Sequence, residues 1–291
     1  MQACTERDFA QKLERGDIVH FPVCPFALPG ADDHQFLLMQ RLASRAHKNI
    51  GYDPTTGKVS GYAWSGADQA QRLQKVLGEF SQSVTSWLSG TFPRYATGWQ
   101  LDRVSYRPEQ EATRRLRLTA RNDLLHVDAF PSRPTNGWRI LRVFANINPA
   151  EPRIWITAEP FARLLQRYGR EAGLPDGRHE PLLSRLRNSL ARLLRPGKAR
   201  RSAYDAFMLR FHNYIKANAD FQKNCVKQQW AFQPGCAWLA ITDTASHAVL
   251  SGRYALEHSY FLAPATLALP EESPPALLRQ ACGFEVLDRA A

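Results

Sequence analysis

Cysteine is sparse in this 291-residue sequence, and what there is does not pair. The five cysteines (Cys4, Cys24, Cys225, Cys236 and Cys282) are odd in number, widely spaced and without a C-x-x-C pair. That argues against a disulfide framework or a thiolate zinc site and predicts a reducing, cytoplasmic setting. Long apolar runs are missing too: no stretch approaches the ~20 consecutive apolar residues that a membrane-spanning helix needs. The N-terminal MQACTERDFAQKLERGD is polar and amphipathic and does not look like a secretory signal. Acidic residues are in short supply, 27 against 38 basic, for a formal charge of +11. The excess is local. Between Arg163 and Lys223 fourteen Lys/Arg stand against five Asp/Glu, so that segment carries +9 of the total. Such a field favours an anionic partner: nucleic acid, an acidic membrane surface or a phosphorylated substrate. Nucleic acid lacks support, because no RNA-binding sheet signature, zinc finger or helix-turn-helix is found. Trp138, Trp155, Trp230 and Trp238 lie in strand-like runs and read as core.

What is present suits a folded core, with 44% apolar residues and 11% aromatics. Residues 5–15 read as a short helix, and 32–48 have helical spacing with Asp32 or Asp33 placed as N-cap. GYDPTTGKVSGYAW reads as turn-rich loop. Residues 67–89 place Leu73, Val76, Leu77, Phe80, Val84, Trp87 and Leu88 on one helical stripe. From Trp99 the texture changes to short alternating or apolar runs: LDRVSYRP, RRLRLTA, LLHVDAF, WRILRVFANIN and RIWITA, all read as strands. A basic helical segment covers roughly 160–223, after which KQQWAF, CAWLAITD, HAVLSG and RYALEHSYFLA resume the strand pattern. The expected class is therefore mainly β with α, one domain over 1–291. It comprises an N-terminal helical region (1–98), core strands (99–159 and 224–265), a helical insertion (160–223) and a C-terminal tail (266–291).

LLHVDAF carries the first chemical signal. Residues i and i+2 of a strand share a face, so His126 and Asp128 project together with Val127 opposite. Two such ligands leave a metal's coordination incomplete, and His247, at the start of a late strand, is the candidate third. Two histidines and one carboxylate make the facial triad of non-haem Fe(II) oxygenases. An unpaired carboxylate in an apolar stretch costs several kcal/mol. A metal would offset that, and so would an ion pair with Arg142. In WRILRVFANIN, Arg142, Phe144, Asn146 and Asn148 fall on one face, polar at three of four positions, as a lined cavity would be. A guanidinium there could hold the distal carboxylate of 2-oxoglutarate by two hydrogen bonds, or simply pair with an acid across the sheet. Arg253 is a competing anchor and His258 a weaker one.

The run NDLLHVDAFPSRPTNGWRILRVFANINP resembles the Kdo hydroxylases, Fe(II)/2-oxoglutarate/O2-dependent dioxygenases of Gram-negative bacteria. RVSYRPE before it, TDTASHAVLSGRYALEHSYFL after it, and HKNIGYDP at 47–54 share the resemblance, which covers most of the chain. The resemblance implies a double-stranded β-helix, the jelly-roll oxygenase core. It implies hydroxylation at C3 of the Kdo sugar (3-deoxy-D-manno-oct-2-ulosonic acid) of Kdo-lipid A, giving Ko with succinate and CO2. Carried over position by position, the iron ligands would be His126, Asp128 and His247. One departure is visible: many 2-oxoglutarate oxygenases carry a basic anchor about ten residues after the distal histidine, where this chain has Glu257 and His258. Arg142 is then the better anchor. Arg133, Asn146 and Arg253 are candidates for contact with the sugar.

PLLSRLRNSLARLLRPGKARR spaces its leucines helically with arginines among them. It reads as a helix packed on the core with solvated arginines, or as an interfacial surface for anionic lipid. The resemblance places the substrate at the cytoplasmic face of the inner membrane, where a basic enzyme would associate peripherally. The alternatives are a 2-oxoglutarate oxygenase acting on another carbohydrate or a protein side chain, and a non-catalytic jelly roll binding an acidic glycolipid.

Overall fold

The computed structural model describes residues 6–44, 47–113, 116–174 and 201–287. Helix α1 (Glu6–Arg15) leads into strand β1 (Val19–Phe21), then α2 (Ala31–Met39), β2 (Ile50–Tyr52), β3 (Val59–Ser60), α3 (Ala67–Thr91) and the single turn α4 (Pro93–Ala96). Strands β4 (Trp99–Arg107), β5 (Arg139–Asn146) and β6 (Arg153–Thr157) follow. Between β6 and the next strand lie α5 (Phe161–Tyr168), α6 (Ala203–Ala217) and α7 (Ala219–Asn224). Strands β7 (Gln228–Phe232), β8 (Ala237–Ile241), β9 (His247–Ser251) and β10 (Ala255–Leu262) and helix α8 (Pro274–Cys282) complete the order. The leucine-arginine stretch at 181–200 lies outside the described residues.

The strands form two antiparallel sheets, one of seven in the order β1-β8-β5-β10-β4-β2-β3 and one of three in the order β7-β6-β9. Alternation along β5 sends Leu141, Val143 and Ala145 to one face of the large sheet, where they join Leu239, Leu256 and Tyr106. The stripe of α3 (Leu73, Val76, Leu77, Phe80, Val84, Leu88) packs against that face, as its i, i+3, i+4, i+7 spacing requires. The opposite face of β5 and β8 meets the small sheet. Phe144 and Trp238 pack there with Trp155, Phe232 and Val249, Phe232 stacking on Trp238 at 3.9 Å between centroids. The outer face of the small sheet is covered by α5, α6 and α8 through Ile156, Ala248, Phe161, Phe207, Phe211 and Leu278. Each face has its own covering layer, so β5, β8 and β10 are buried along almost their whole length, whereas β7, at the edge of the small sheet, leaves Gln228, Gln229 and Ala231 exposed.

Three expectations are corrected. The helix expected over 32–48 ends at Met39, because the next residues pair with the chain beyond β3: Ala43 N donates to Gly61 O at 2.9 Å and Ala63 N to Arg41 O at 2.9 Å. Neither Asp32 nor Asp33 caps it; Gly30 holds that position, and Asp33 takes Arg72 at 2.9 Å. GYDPTTGKVSGYAW is not all loop, for it holds β2 and β3, joined by a turn in which Asp53 Oδ1 accepts from Thr55 N at 2.9 Å. The described part of RRLRLTA, residues 116–120, is not a strand and ends in a 3-10 turn at Leu118–Ala120.

Candidate metal centre

LLHVDAF runs extended without joining a ladder, and meets β9 at one bridge between His126 and His247. His126 N donates to His247 O at 3.1 Å and His247 N to His126 O at 2.9 Å. Directly opposed residues of an antiparallel pair project to the same side, so backbone pairing alone sets the two imidazoles together, with centroids 4.6 Å apart. Asp128 N donates to Thr242 O at 2.7 Å, and the period of two returns its carboxylate to the side of His126. The donor atoms of His126, Asp128 and His247 all lie within 4.8 Å of one another, with His126 Nε2 3.6 Å from Asp128 Oδ1.

Each imidazole is held in one tautomer. Nδ1 of His126 donates to Leu124 O at 2.7 Å and Nδ1 of His247 to Ala245 O at 3.0 Å. A carbonyl only accepts, so the proton sits on Nδ1 and the Nε2 lone pair is left for the cluster. Burial pushes the pKa of both histidines down, His126 further because His247 and Lys216 add to the effect. Trp155 stacks on His247 at 5.2 Å and 19°. His212 packs edge-on against His126 at 5.1 Å and donates from Nδ1 to Val127 O at 2.7 Å, pinning the peptide between the ligands.

Arg142 sits beside the carboxylate, its Nη2 2.9 Å from Asp128 Oδ2, and also pairs with Glu257. Glu257 in turn accepts from Arg107 at 2.6 and 3.1 Å. The result is a buried chain of alternating charge. Burial alone would raise the Asp128 carboxyl, but the Arg142 guanidinium outweighs it and holds the group well below the carboxylate range. Burial would likewise raise Glu257, and Arg142 and Arg107 bring it down to about 2. A cavity of about 590 Å³ opens onto these groups, lined also by Lys48, Arg117, Phe130, His212 and Lys216. Its size is within the range of small-molecule binding sites.

The structure thus gathers His126, Asp128, His247 and Arg142, and leaves the other candidates elsewhere. Asn146 is buried away from this cavity with its amide engaged: Nδ2 donates to Phe232 O at 2.9 Å and Glu151 O at 3.0 Å, and Oδ1 accepts from Asn148 N at 3.0 Å. Arg253 is half exposed beside Glu151 and over the Tyr254 ring, outside the lining. His258 points to the α3 face of the large sheet, because alternation on β10 gives the cavity side to Glu257; its Nδ1 meets Tyr260 Oη at 2.6 Å. Arg133 pairs with Asp102 and lines an adjoining polar cavity that shares Phe130, Arg142 and Glu257 with the first. Sequence reasoning missed Arg107, His212 and Lys216 as cavity residues. Signals for them existed: Arg103, Ser105 and Arg107 alternate on β4, and His212 and Lys216 are i, i+4 neighbours on α6.

Two antiparallel sheets carrying a two-histidine, one-carboxylate cluster in a cationic cavity are the build of a non-heme Fe(II) alpha-ketoglutarate-dependent dioxygenase. Solved structures that the chain resembles include members of that class. An apo structure of the Kdo hydroxylase KdoO is 31% identical, with a TM-score of 0.86 over 100% of this chain and 94% of that one. KdoO in complex with alphaketoglutarate and Fe(III) matches at 31% identity and a TM-score of 0.83, with the same coverage. Its complex with succinate and Fe(III) matches at 30% and 0.82, again over 100% of this chain and 94% of that one. No curated protein sequence matches the chain. The family model for 3-deoxy-D-manno-oct-2-ulosonic acid (Kdo) hydroxylase matches residues 1–285, and the chain belongs to that family.

Proposed function

We propose that the chain hydroxylates C3 of the Kdo sugar of Kdo-lipid A, giving Ko, with 2-oxoglutarate and O2 consumed and succinate and CO2 released. In this reading 1–291 is one oxygenase domain, its two sheets the halves of a double-stranded β-helix and 160–223 a helical insertion. The residues present fit one ferrous ion: two neutral Nε2 atoms and one carboxylate oxygen converge within 4.8 Å, a donor set that leaves positions open for cosubstrate and O2. Iron, once bound, supplies with 2-oxoglutarate and O2 the oxidising power that breaks the sugar C–H bond. The protein's share is placement. His126, Asp128 and His247 hold the ion, Val127 and His212 hold the ligand strand, and Trp155 limits rotation of the His247 ring. Arg142, whose Nε makes no hydrogen bond to the described residues, offers its guanidinium to a carboxylate of 2-oxoglutarate while keeping Glu257 as counter-charge. The buried walls limit water, so that the C–H bond presented is the one attacked. No protein base is needed.

No described helix is long and apolar enough to cross a membrane. In this reading the lipid-borne sugar is met at the cytoplasmic face of the inner membrane by peripheral association, with the basic excess of 163–223 attracting its anionic groups. The observation that carries the proposal is the buried convergence of the three donor groups beside Arg142, in a chain of this family. The test is incubation of anaerobically purified protein with Fe(II), 2-oxoglutarate and Kdo-lipid A, followed by admission of O2. A product heavier by one oxygen with matching succinate, both lost in His126→Ala and Asp128→Ala, is the expected result. Succinate without oxidised sugar would move the substrate to another carbohydrate or a protein side chain. Iron binding with neither product would reduce the protein to a glycolipid-binding module.

A further inference from the structure

Lys216 reaches the cavity from α6, four residues beyond His212, so the two side chains share one helical face. The residue is 3% exposed. Its Nζ donates one hydrogen bond, to Thr119 O at 3.2 Å, and pairs with no carboxylate among the described residues. An ammonium has three donors, and burying one without a counter-ion is costly. Burial lowers the Lys216 pKa to about 8, with Lys48, on the same cavity, acting in the same direction. Arg107 and Arg142 stand in contact with Glu257 and Asp128, a contact that Lys216 does not make. What the Lys216 side of the cavity lacks is an anion.

Two carboxylates could supply it, one on the diacid cosubstrate and one on the sugar. The diacid already has Arg142 and the metal position beside Asp128. In a 3-deoxy-2-ulosonic acid the carboxylate is C1, and the methylene to be oxidised is C3, separated from it by a single ring carbon. Fixing C1 therefore fixes C3 with little slack, which is what selection of one C–H bond requires. We propose that Lys216 binds the C1 carboxylate of the substrate sugar and so sets which carbon faces the metal. This rests on the function proposed above.

The test is equilibrium binding to cobalt-loaded protein, by calorimetry, of a methyl glycoside of the ulosonic acid and of its C1 carboxamide. The wild-type protein is expected to prefer acid to amide about tenfold to hundredfold, the range for a hydrogen bond to a charged group. Lys216→Met should abolish that preference and Lys216→Arg should keep part of it. Methionine removes a buried charge at similar length, so the variant should fold, and a thermal melt checks this. Retention of the acid preference in Lys216→Met overturns the proposal. So does a tenfold loss of 2-oxoglutarate affinity with the sugar preference intact, which would give Lys216 to the cosubstrate. Because binding is read without turnover, a preference that depends on Lys216 in a protein that hydroxylates nothing sustains this inference and overturns the proposed function instead.

Discussion

Glu257 shows how much of the centre is set by single side chains. It stands between Arg142 and Arg107, and Glu257→Gln leaves two buried guanidiniums short of a partner. At pH 7 that variant should lose about 3–5 kcal/mol, the usual consequence of breaking a buried pair from one side. The pH dependence has a definite sign. A carboxylate depressed from 4.5 to about 2 contributes stability that is full above 4.5 and is lost as pH falls through 2. Denaturant melts at a series of pH values should therefore show the gap between wild type and Glu257→Gln narrowing below pH 4.5. A gap constant down to pH 2 would contradict the coupling. Asp128→Asn keeps the shape of the ligand and removes its charge, and should weaken Co(II) binding at least about a hundredfold. The triad was legible in the sequence because alternation is local: in any extended segment His-x-Asp must share a face. The position of His258 was not legible, since which face of β10 meets the cavity depends on its neighbours being β4 and β5. Once that order is known, Glu257 takes the cavity side and His258 the α3 face.

At the scale of elements, the two sheets are held together by an aromatic cluster that also forms the back of the metal centre. Trp155 belongs to both, packing edge-on against Trp238 at 5.6 Å and flat on His247 at 5.2 Å. Trp155→Ala should cost about 3–5 kcal/mol in stability and also weaken metal binding, because the His247 ring loses one wall. Trp238→Ala should cost a similar amount of stability and change metal affinity much less; equal effects on metal affinity would count against Trp155 as a wall of the site. The helix and strand signals that survived in the structure are those with long, consistent periods, as in α3 and β5. Those that failed were short and decided by distant chain. Residues 40–44 left the helix to pair near β3, and the described part of RRLRLTA is drawn into a 3-10 turn.

For the molecule as a whole, the preformed cluster means that loading should stabilise the fold by mass action. Co(II) and 2-oxoglutarate at about a hundred times their dissociation constants should add about 2.7 kcal/mol per ligand. For a chain of this size that is a rise in melting temperature of roughly 5–10 °C per ligand, absent in Asp128→Asn for the metal. The charge excess predicts association with anionic vesicles that falls steeply as salt rises; binding indifferent to salt would remove electrostatics from the membrane encounter. Stacking of Trp155 on His247 has an optical consequence. An indole lying flat against a metal-ligand ring is placed to be quenched when a paramagnetic ion arrives, so the native fluorescence of the protein becomes a built-in gauge of metal occupancy. A titration with Co(II) could then be followed without any added dye, and the Trp155→Phe protein would give the blank.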